Sequence, residues 1–196
     1  MAAPDVAAGE RLIGVRLGGA VTCSAPWRIV DQEPELGWLT GAMRLPSGQP
    51  VPEQPAGLQA VPHLAVLLGG PLTGPGISAA DALAAVASVH AAAELADGWF
   101  LVSPAGRAPA GLDLALEACL VEVDGQVTDS GTGAAAAGHP AEGLAWAANA
   151  LARDGLVLET GWLVLTGPLT APVTVPPGAP LAVHFTTLGS LFLSPG

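Results

Sequence analysis

The sequence predicts a strand-dominated α+β fold with two packed helices. Its 196 residues include 26 glycines and 19 prolines, a content that favours many turns and few long helices. Short apolar segments bounded by Gly and Pro predict strands, and they fill most of the C-terminal quarter of the chain. The segment CLVEVDGQVTDSG, residues 119–131, alternates apolar and polar residues around Asp124-Gly125, which is the strongest hairpin signal in the chain.

Three further segments in the N-terminal half predict strands. RLIGVRLGGAVT, residues 11–22, alternates apolar residues with Gly and Arg, and it predicts a strand that leads into a loop. ELGWLTGAM, residues 35–43, predicts a turn and a short strand, and the apolar run at about 60–68 predicts a buried strand. The Pro-rich segment 46–58 between them is expected to be a surface connection.

Two segments predict helices. The first begins at Ser78, which can cap the first turn together with Asp81, and its Ala-rich body is predicted to continue to about Ala96. The second begins at Pro140, which suits the first turn of a helix, and it ends near Gly155, which suits a helix terminus. The small side chains of the first helix favour close packing against a sheet.

The composition excludes several classes of partner. The formal net charge is −11 with only six basic residues, so we expect no nucleic acid partner and no membrane-surface partner. No apolar run approaches the ~20 residues that span a bilayer, and the N-terminus lacks the features of a secretory signal. Cys23 and Cys119 match no metal or redox spacing. We therefore expect a cytoplasmic protein that acts on a small-molecule substrate.

The C-terminal half carries four phrases in a characteristic order: VEVDGQVTDSGTGAAAAGHP, LAWAANALARDG, GWLVLTGPLTAPVTVPPG and FTTLGSLFLS. Together with RLIGVRLGG, EPELGWLTGAM and VPHLAVLLGGPLTGPGISAADALAAVASVHAAAELAD upstream, they resemble the fumarylacetoacetate hydrolase superfamily over nearly all of residues 11–194. The nearest branch is that of the 2-keto-4-pentenoate hydratases and 4-oxalocrotonate decarboxylases. The resemblance implies a single domain over residues 1–196, without the family's N-terminal helical region. It also implies a mixed β-roll that forms homo-oligomers, dimers or larger.

The resemblance implies a Mg²⁺ or Mn²⁺ site built from three carboxylates. Two of them come from a Glu-x-Glu pair on a strand, and these positions fall on Val61 and His63. The third falls on Glu94. Since hard cations prefer several oxygen ligands, one Glu and one His make a poor site for Mg²⁺. We therefore predict that the protein has no metal cofactor, with Mg²⁺ or Mn²⁺ held through substitute ligands as the alternative.

Four residues are predicted to be catalytic: Glu94, Arg16, His63 and Glu35. Near apolar walls Glu94 would have a raised pKa and could act as a general acid, or it could form a structural ion pair with Arg16. Arg16 occupies the position of the family's lysine, and it could bind an anionic oxygen or simply neutralise acidic neighbours. His63 could donate a hydrogen bond to the substrate or be a partly buried histidine bonded to a backbone carbonyl. Glu35 replaces the family's aspartate, or it belongs to a solvated acidic turn.

Three further residues are predicted to bind substrate. Asp97 and Trp99 border a loop that is shorter than the family pattern, and they could line the pocket or merely end the preceding helix. Ser130 belongs to the phrase SGTG, whose backbone amides could hold an anion, although a tight turn explains this phrase equally well. A nucleophilic Cys23 would need a neighbouring histidine, and nothing in the sequence places one there.

These residues predict a lyase or cyclase that acts without metal on an enolisable dicarbonyl or 2-oxo acid. One concrete form is a ring-forming step in secondary metabolism, in which the pocket holds the reacting ends together. The first alternative is a divalent-metal-dependent 2-keto-4-pentenoate hydratase or 4-oxalocrotonate decarboxylase. The second alternative is a catalytically inactive homologue that serves as a binding subunit.

Overall fold

The computed structural model describes residues 10–18, 35–46, 57–95 and 98–194. Within these ranges strands predominate over helices, so the strand-dominated α+β prediction is confirmed. The strands are β1 (Leu12–Gly18), β2 (Glu35–Thr40), β3 (Leu58–Leu68), β4 (Val86–Leu95), β5 (Phe100–Val102), β6 (Ala118–Val123), β7 (Gln126–Thr132), β8 (Leu163–Thr166), β9 (Val173–Val175), β10 (Leu181–Phe185) and β11 (Gly189–Leu193). The helices are α1 (Ala79–Ala84) and α2 (Pro140–Ala152).

Two sheets form the framework. The first runs in the order β2-β1-β8-β3-β4-β5, and β9 pairs with the beginning of β3. In this sheet β1 and β8 are parallel, and the other pairs among the described strands are antiparallel. The second sheet runs in the order β11-β10-β6-β7 and is antiparallel. Because β8 lies between β1 and β3, the first sheet brings together side chains that are far apart in the sequence.

One apolar core joins both sheets to α2. Val66 of β3, Val121 of β6, Val183 of β10 and Leu144 of α2 are all buried members of the same cluster. Burying a side chain of this size contributes roughly 1.5–3 kcal/mol, so this cluster is the main source of stability in the described part of the chain. One face of the first sheet therefore packs on the main core, and the side chains of its opposite face point away from that core.

The predicted hairpin is confirmed between β6 and β7. Val123 pairs with Gln126, so the connection consists of two residues, Asp124 and Gly125. Their φ angles are 50° and 74°, which is the left-handed conformation required at both central positions of a type I′ turn. Asp and Gly tolerate this conformation better than most residues, which is why this short sequence signal was reliable.

The starts of both helices are also confirmed. The backbone N–H of Asp81 donates to Oγ of Ser78, and the N–H of Ser78 donates to Oδ2 of Asp81, which forms the expected capping box. α2 begins at Pro140, and Nδ1 of the preceding His139 accepts a hydrogen bond from the N–H of Ala141. No helix in the described ranges is long and apolar enough to cross a lipid bilayer.

The prediction of a helix that continues to about Ala96 is wrong. α1 ends at Ala84, and the chain continues directly into β4, Val86–Leu95. β4 lies between β3 and β5, and the side chains of Ala91, Ala92 and Ala93 are all fully buried there. Small side chains permit this close packing on both faces of a strand, and the tertiary pairing overrides the helix propensity of alanine.

Candidate active site

Three of the predicted catalytic side chains lie on one face of the first sheet. Arg16 is on β1, His63 is on β3 and Glu94 is near the end of β4. In the β3–β4 ladder Glu94 is opposite Val61, and His63 is opposite Ala92, so Glu94 and His63 are diagonal neighbours. Alternation along each strand turns these side chains away from the main core. The structure thus brings Arg16, His63 and Glu94 together, as the sequence analysis expected.

The carboxylate of Glu94 connects the other two groups. Its Oε1 atom lies 2.9 Å from Nη1 of Arg16, an ion pair in which the arginine side chain is 37% exposed and the glutamate side chain 17% exposed. Its Oε2 atom lies 3.5 Å from Nε2 of His63. The structural alternative for Glu94, an ion pair with Arg16, is therefore realised, and the same carboxylate still presents one oxygen to the imidazole.

His63 is buried, and neither of its ring nitrogens has a hydrogen-bond partner in the described part of the chain. The backbone of Thr166 lies close enough to the ring to oppose part of its pKa shift, but the contact lacks the geometry of a full hydrogen bond, so the expected bond to a backbone carbonyl is at most weak. Burial, followed by the positive charge of Arg16, lowers the pKa of His63 from 6.5 to about 3. The ring is neutral at neutral pH, so one of its nitrogens is an available electron-pair donor. A buried polar group without a partner is costly, and this one is aimed at a carboxylate in the predicted site.

Two opposing effects determine the pKa of the Glu94 carboxyl. Desolvation raises the pKa of its carboxyl, and the charge and hydrogen bond of Arg16 oppose that shift. A carboxyl whose pKa is raised is a weaker acid and a stronger base than an ordinary glutamate, which suits it to take up a proton. Glu94 can therefore serve as the proton-transferring group of this cluster.

Two glycines that the sequence analysis did not single out make room for these side chains. Gly37 pairs with Arg16 across β1 and β2, and a Cβ atom at this position would lie 2.6 Å from Nε of Arg16. A Cβ atom at Gly167 would lie 2.9 Å from Nδ1 of His63. Gly37 is the glycine of the EPELGWL phrase. Its place in that phrase, combined with the pairing of β1 and β2, was the signal that could have identified it as the residue that makes room for Arg16.

An apolar cluster covers the same face of the first sheet. Its buried members come from β2, β3, β4, β5 and β8, and they are Leu39, Ala65, Ala92, Phe100, Val102, Leu163 and Leu165. This cluster is separate from the main core. Apolar surroundings of this kind exclude water and strengthen the electrostatic interactions between the three polar groups.

The remaining predicted site residues have different positions. Glu35 begins β2 on the face that carries Gly37 and Arg16, and it is exposed. Trp99 packs against the main core, and its carbonyl accepts a hydrogen bond from the N–H of Leu95. Ser130 is exposed on β7 of the second sheet. Asp97 and Cys23 lie outside the described residues.

The described residues contain no group of three or more His, Cys, Asp or Glu side chains placed to hold a metal ion. They do contain two converging donors, a carboxylate oxygen of Glu94 and the unpartnered nitrogen of His63. Divalent cations in enzymes are often held by one or two protein groups together with substrate and water. The pair therefore fits a divalent cation that accepts a nitrogen ligand and completes its coordination with ligands from outside the protein.

Comparison with known proteins gives consistent relatives, although no family model matches the chain. It is 33% identical to a 2-hydroxyhexa-2,4-dienoate hydratase of Comamonas testosteroni, over 88% of this chain and 74% of the relative. It is 32% identical to a 2-keto-4-pentenoate hydratase of Burkholderia vietnamiensis, over 93% of this chain and 78% of the relative. It is 30% identical to a 4-oxalocrotonate decarboxylase of Pseudomonas putida, over 93% and 77%.

Solved structures with the same fold include two of the 4-oxalocrotonate decarboxylase from Pseudomonas putida G7. One is a complex with calcium and acetate, with a TM-score of 0.82 and 24% identity over 95% of this chain and 78% of that one. The other is a complex with magnesium and adipate, with a TM-score of 0.81 and 25% identity over 95% and 79%. The prediction of no metal cofactor is contradicted by these divalent-metal complexes. The prediction judged the site by the two donors of this chain, one Glu and one His, and left out the oxygen ligands that substrate and water can add.

Proposed function

Because the chain belongs to the 2-keto-4-pentenoate hydratase and 4-oxalocrotonate decarboxylase branch of the fumarylacetoacetate hydrolase superfamily, we propose that it is a divalent-metal-dependent lyase. Its substrate would be a short 2-oxo acid or the corresponding 2-hydroxydienoate, which it would hydrate or decarboxylate. The observation that carries the proposal is the partly buried cluster in which Glu94 connects Arg16 to His63. Hydration, as in the relative from Comamonas testosteroni, is the first reaction to test.

Arg16 is suited to hold the acidic group of such a substrate. A guanidinium has five N–H donors, and among the described residues Glu94 engages Nη1 at 2.9 Å. The remaining donors belong to a side chain that is 37% exposed, so an incoming carboxylate could bind in a two-pronged manner while the ion pair with Glu94 persists. Arg16 would thus orient the substrate and hold Glu94 in place.

Glu94 would transfer the proton that both candidate reactions require. Hydration and decarboxylation of these acids pass through enol or enolate forms, in which a proton moves between carbon and a base. Burial raises the pKa of this carboxyl in the cation-free site, whereas a cation bound to it would keep it ionised and able to accept the proton. When bound between Glu94 and His63, a divalent cation would polarise the 2-oxo group and stabilise negative charge on it. The apolar cluster around Leu165 would keep bulk water away from the enolate.

The other predicted functions have less support. None of the relatives named above is a cyclase, so a ring-forming step in secondary metabolism has no counterpart among them. The inactive-homologue alternative would leave the buried contact of Glu94 with His63 and its ion pair with Arg16 without a chemical role. The homo-oligomer stays a prediction, which light scattering of the purified protein would test.

The test of the proposal is an assay of chelator-treated protein on 2-hydroxypenta-2,4-dienoate and 4-oxalocrotonate, with and without added divalent cations. We expect turnover of at least one substrate, its loss after chelation and its recovery with metal. Glu94→Gln should lower kcat by about 10²–10⁴-fold, the usual contribution of a general acid or base. Glu122→Gln is the matched control, because Glu122 also lies near a histidine, at 3.6 Å from His184, but on the second sheet. Turnover that is unaffected by chelation contradicts the proposal, as does a lack of turnover with either substrate.

A further inference from the structure

The donors that converge in the active site differ in kind. Glu94 supplies a carboxylate oxygen, and His63 supplies an imidazole nitrogen. His63 is only 1% exposed and both of its ring nitrogens lack a hydrogen-bond partner among the described residues. A buried imidazole in this condition has lost its water without gaining a protein partner, so it is available to a ligand.

The separation of the two donors suits a shared cation. Two ligand atoms that each lie about 2.1 Å from one ion are separated by roughly 3.0 Å in an octahedral and 3.4 Å in a tetrahedral arrangement. The distance between Nε2 of His63 and Oε2 of Glu94 is 3.5 Å. This distance is too long for a strong hydrogen bond, and it is close to the separation of two adjacent ligand atoms on one ion.

The charge balance of the site disfavours a hard cation. Mg²⁺ and Ca²⁺ gain most of their binding energy from oxygen ligands, and they favour charged carboxylates. Here one carboxylate is present in the cluster, and half of it is engaged by the positive charge of Arg16. An imidazole nitrogen, by contrast, is a strong ligand for transition ions such as Zn²⁺, Co²⁺ and Fe²⁺.

We propose that His63 and Glu94 form a mixed nitrogen–oxygen donor pair that selects a first-row transition ion over Mg²⁺ and Ca²⁺. The inference rests on the proposed function, because it concerns the metal of the same site. It goes beyond that function by naming His63 as the residue that determines which ion is bound. The ion preference would therefore differ from that suggested by the calcium and magnesium complexes of the structural neighbours.

The experiment measures binding without turnover, so its failure is distinguishable from a failure of the proposed function. Chelator-treated protein would be titrated with Co²⁺, followed by its visible absorption, and with Mg²⁺ as a competitor. We expect Co²⁺ to bind at least about tenfold more tightly than Mg²⁺, which corresponds to about 1.4 kcal/mol. His63→Gln should remove this preference, and Glu94→Gln should weaken the binding of both ions.

His184→Gln is the matched control variant. Nε2 of His184 lies 3.6 Å from Oε2 of Glu122, almost the same separation as in the proposed site, but both side chains are 37% exposed. Nδ1 of His184 is also hydrogen bonded to Oγ of Ser190 at 2.9 Å, so this imidazole already has a partner. We expect His184→Gln to leave the Co²⁺ titration unchanged.

A second measurement keeps the inference testable if His63→Gln does not fold. Wild-type crystals grown with Co²⁺ should show an anomalous scattering peak within bonding distance of Nε2 of His63 and a carboxylate oxygen of Glu94. A peak elsewhere, equal affinity for Mg²⁺ and Co²⁺, or unchanged Co²⁺ binding in a folded His63→Gln variant would overturn the inference.

Discussion

Gly37 lies directly opposite Arg16 across the β1–β2 ladder, and the guanidinium occupies the space where a side chain at position 37 would begin. A Cβ atom there would lie 2.6 Å from Nε and 2.9 Å from Cγ of Arg16. Real Cβ atoms do not approach other atoms this closely, so the arginine would have to move. The absence of a side chain at Gly37 thus helps to place Arg16 within 2.9 Å of Glu94.

Gly37→Ala should displace Arg16 from Glu94 and lower kcat/KM by about tenfold, or about 1.4 kcal/mol of transition-state stabilisation. Stability should change little, because the displaced side chain is partly exposed and flexible. Steady-state kinetics and thermal unfolding would be measured together. Gly41→Ala is the control, since a Cβ atom at Gly41 has no neighbour within 4 Å. Equal kinetics for the two variants would contradict the positioning role of Gly37.

Arg16→Ala should raise KM for a carboxylate substrate by about 10- to 100-fold, because a hydrogen bond to a charged group contributes roughly 1.5–3 kcal/mol. Arg16→Lys should recover only part of this loss, since an ammonium group cannot form the two parallel bonds of a guanidinium. The control is Arg107→Ala, which removes an exposed arginine that donates to the carbonyl of Thr187. If Arg16→Ala changed kcat alone and left KM unaltered, Arg16 would not be the group that binds the carboxylate.

His63 should make the metal-free protein sensitive to acid. The folded state keeps the ring neutral down to a pKa of about 3, whereas the unfolded chain protonates it near the ordinary value of 6.5. The stabilisation is therefore complete above pH 6.5 and is lost as the pH falls towards 3, by up to about 1.4 kcal/mol per pH unit. Urea unfolding between pH 7.5 and pH 5, with a chelator present, measures this slope.

His63→Gln is the comparison for that measurement, because it removes the titrating ring and retains the two charged groups that face it, Arg16 and Glu94. Glu94, whose pKa is raised, acts in the opposite direction, since its protonation favours the folded state as the pH falls. The wild type should lose more stability on acidification than the variant does. Parallel curves for the two proteins would mean that His63 already has a proton or a partner in the folded state.

Glu117 is a stability determinant outside the site. Its buried carboxylate accepts hydrogen bonds from the N–H and the hydroxyl of Thr187, at 2.8 and 2.6 Å, and from the N–H of Leu188 at 3.3 Å. Glu117→Gln places an amide group against these donors, so we expect the free energy of unfolding to fall by about 2–3 kcal/mol. Denaturant unfolding provides the measurement. Asp113→Asn, at an exposed acceptor for the N–H of Leu116, should change stability by only about 0.5 kcal/mol.

Local sequence signals were reliable where a few residues determine the structure by themselves. The left-handed turn at Asp124 and Gly125, the capping box at Ser78 and the helix start at Pro140 were all predicted correctly, since each depends on backbone preferences within three or four residues. β4 was mistaken for a helix because its alanines have a high helix propensity. Pairing with β3 and β5, which lie outside this segment, determines that it is extended.

The sequence predicted which three side chains come together, and their chemical roles stay predictions. The resemblance placed Arg16, His63 and Glu94 in one site, and the structure brings them within 3.5 Å of one another through the carboxylate. The cofactor prediction, which the calcium and magnesium complexes contradict, judged the site by the donors of this chain alone. That the ring nitrogens of His63 lack partners among the described residues is a property of the packed structure, since it depends on what surrounds β3 and cannot be obtained from the spacing of residues along the chain.

The alanines of β4 have a consequence for how the protein could vary. Since alternate residues of a strand face opposite sides, sliding β4 by a single residue along β3 would turn Glu94 towards the main core and away from His63. Ala91, Ala92 and Ala93 are fully buried between the two faces of the sheet. Slippage would bring larger side chains of β4 into the spaces that these alanines fill, and close packing would not accommodate them. Correct alignment of this strand during folding is thus inseparable from assembly of the Arg16, His63 and Glu94 cluster, and a mispaired molecule would lose that cluster together with its packing.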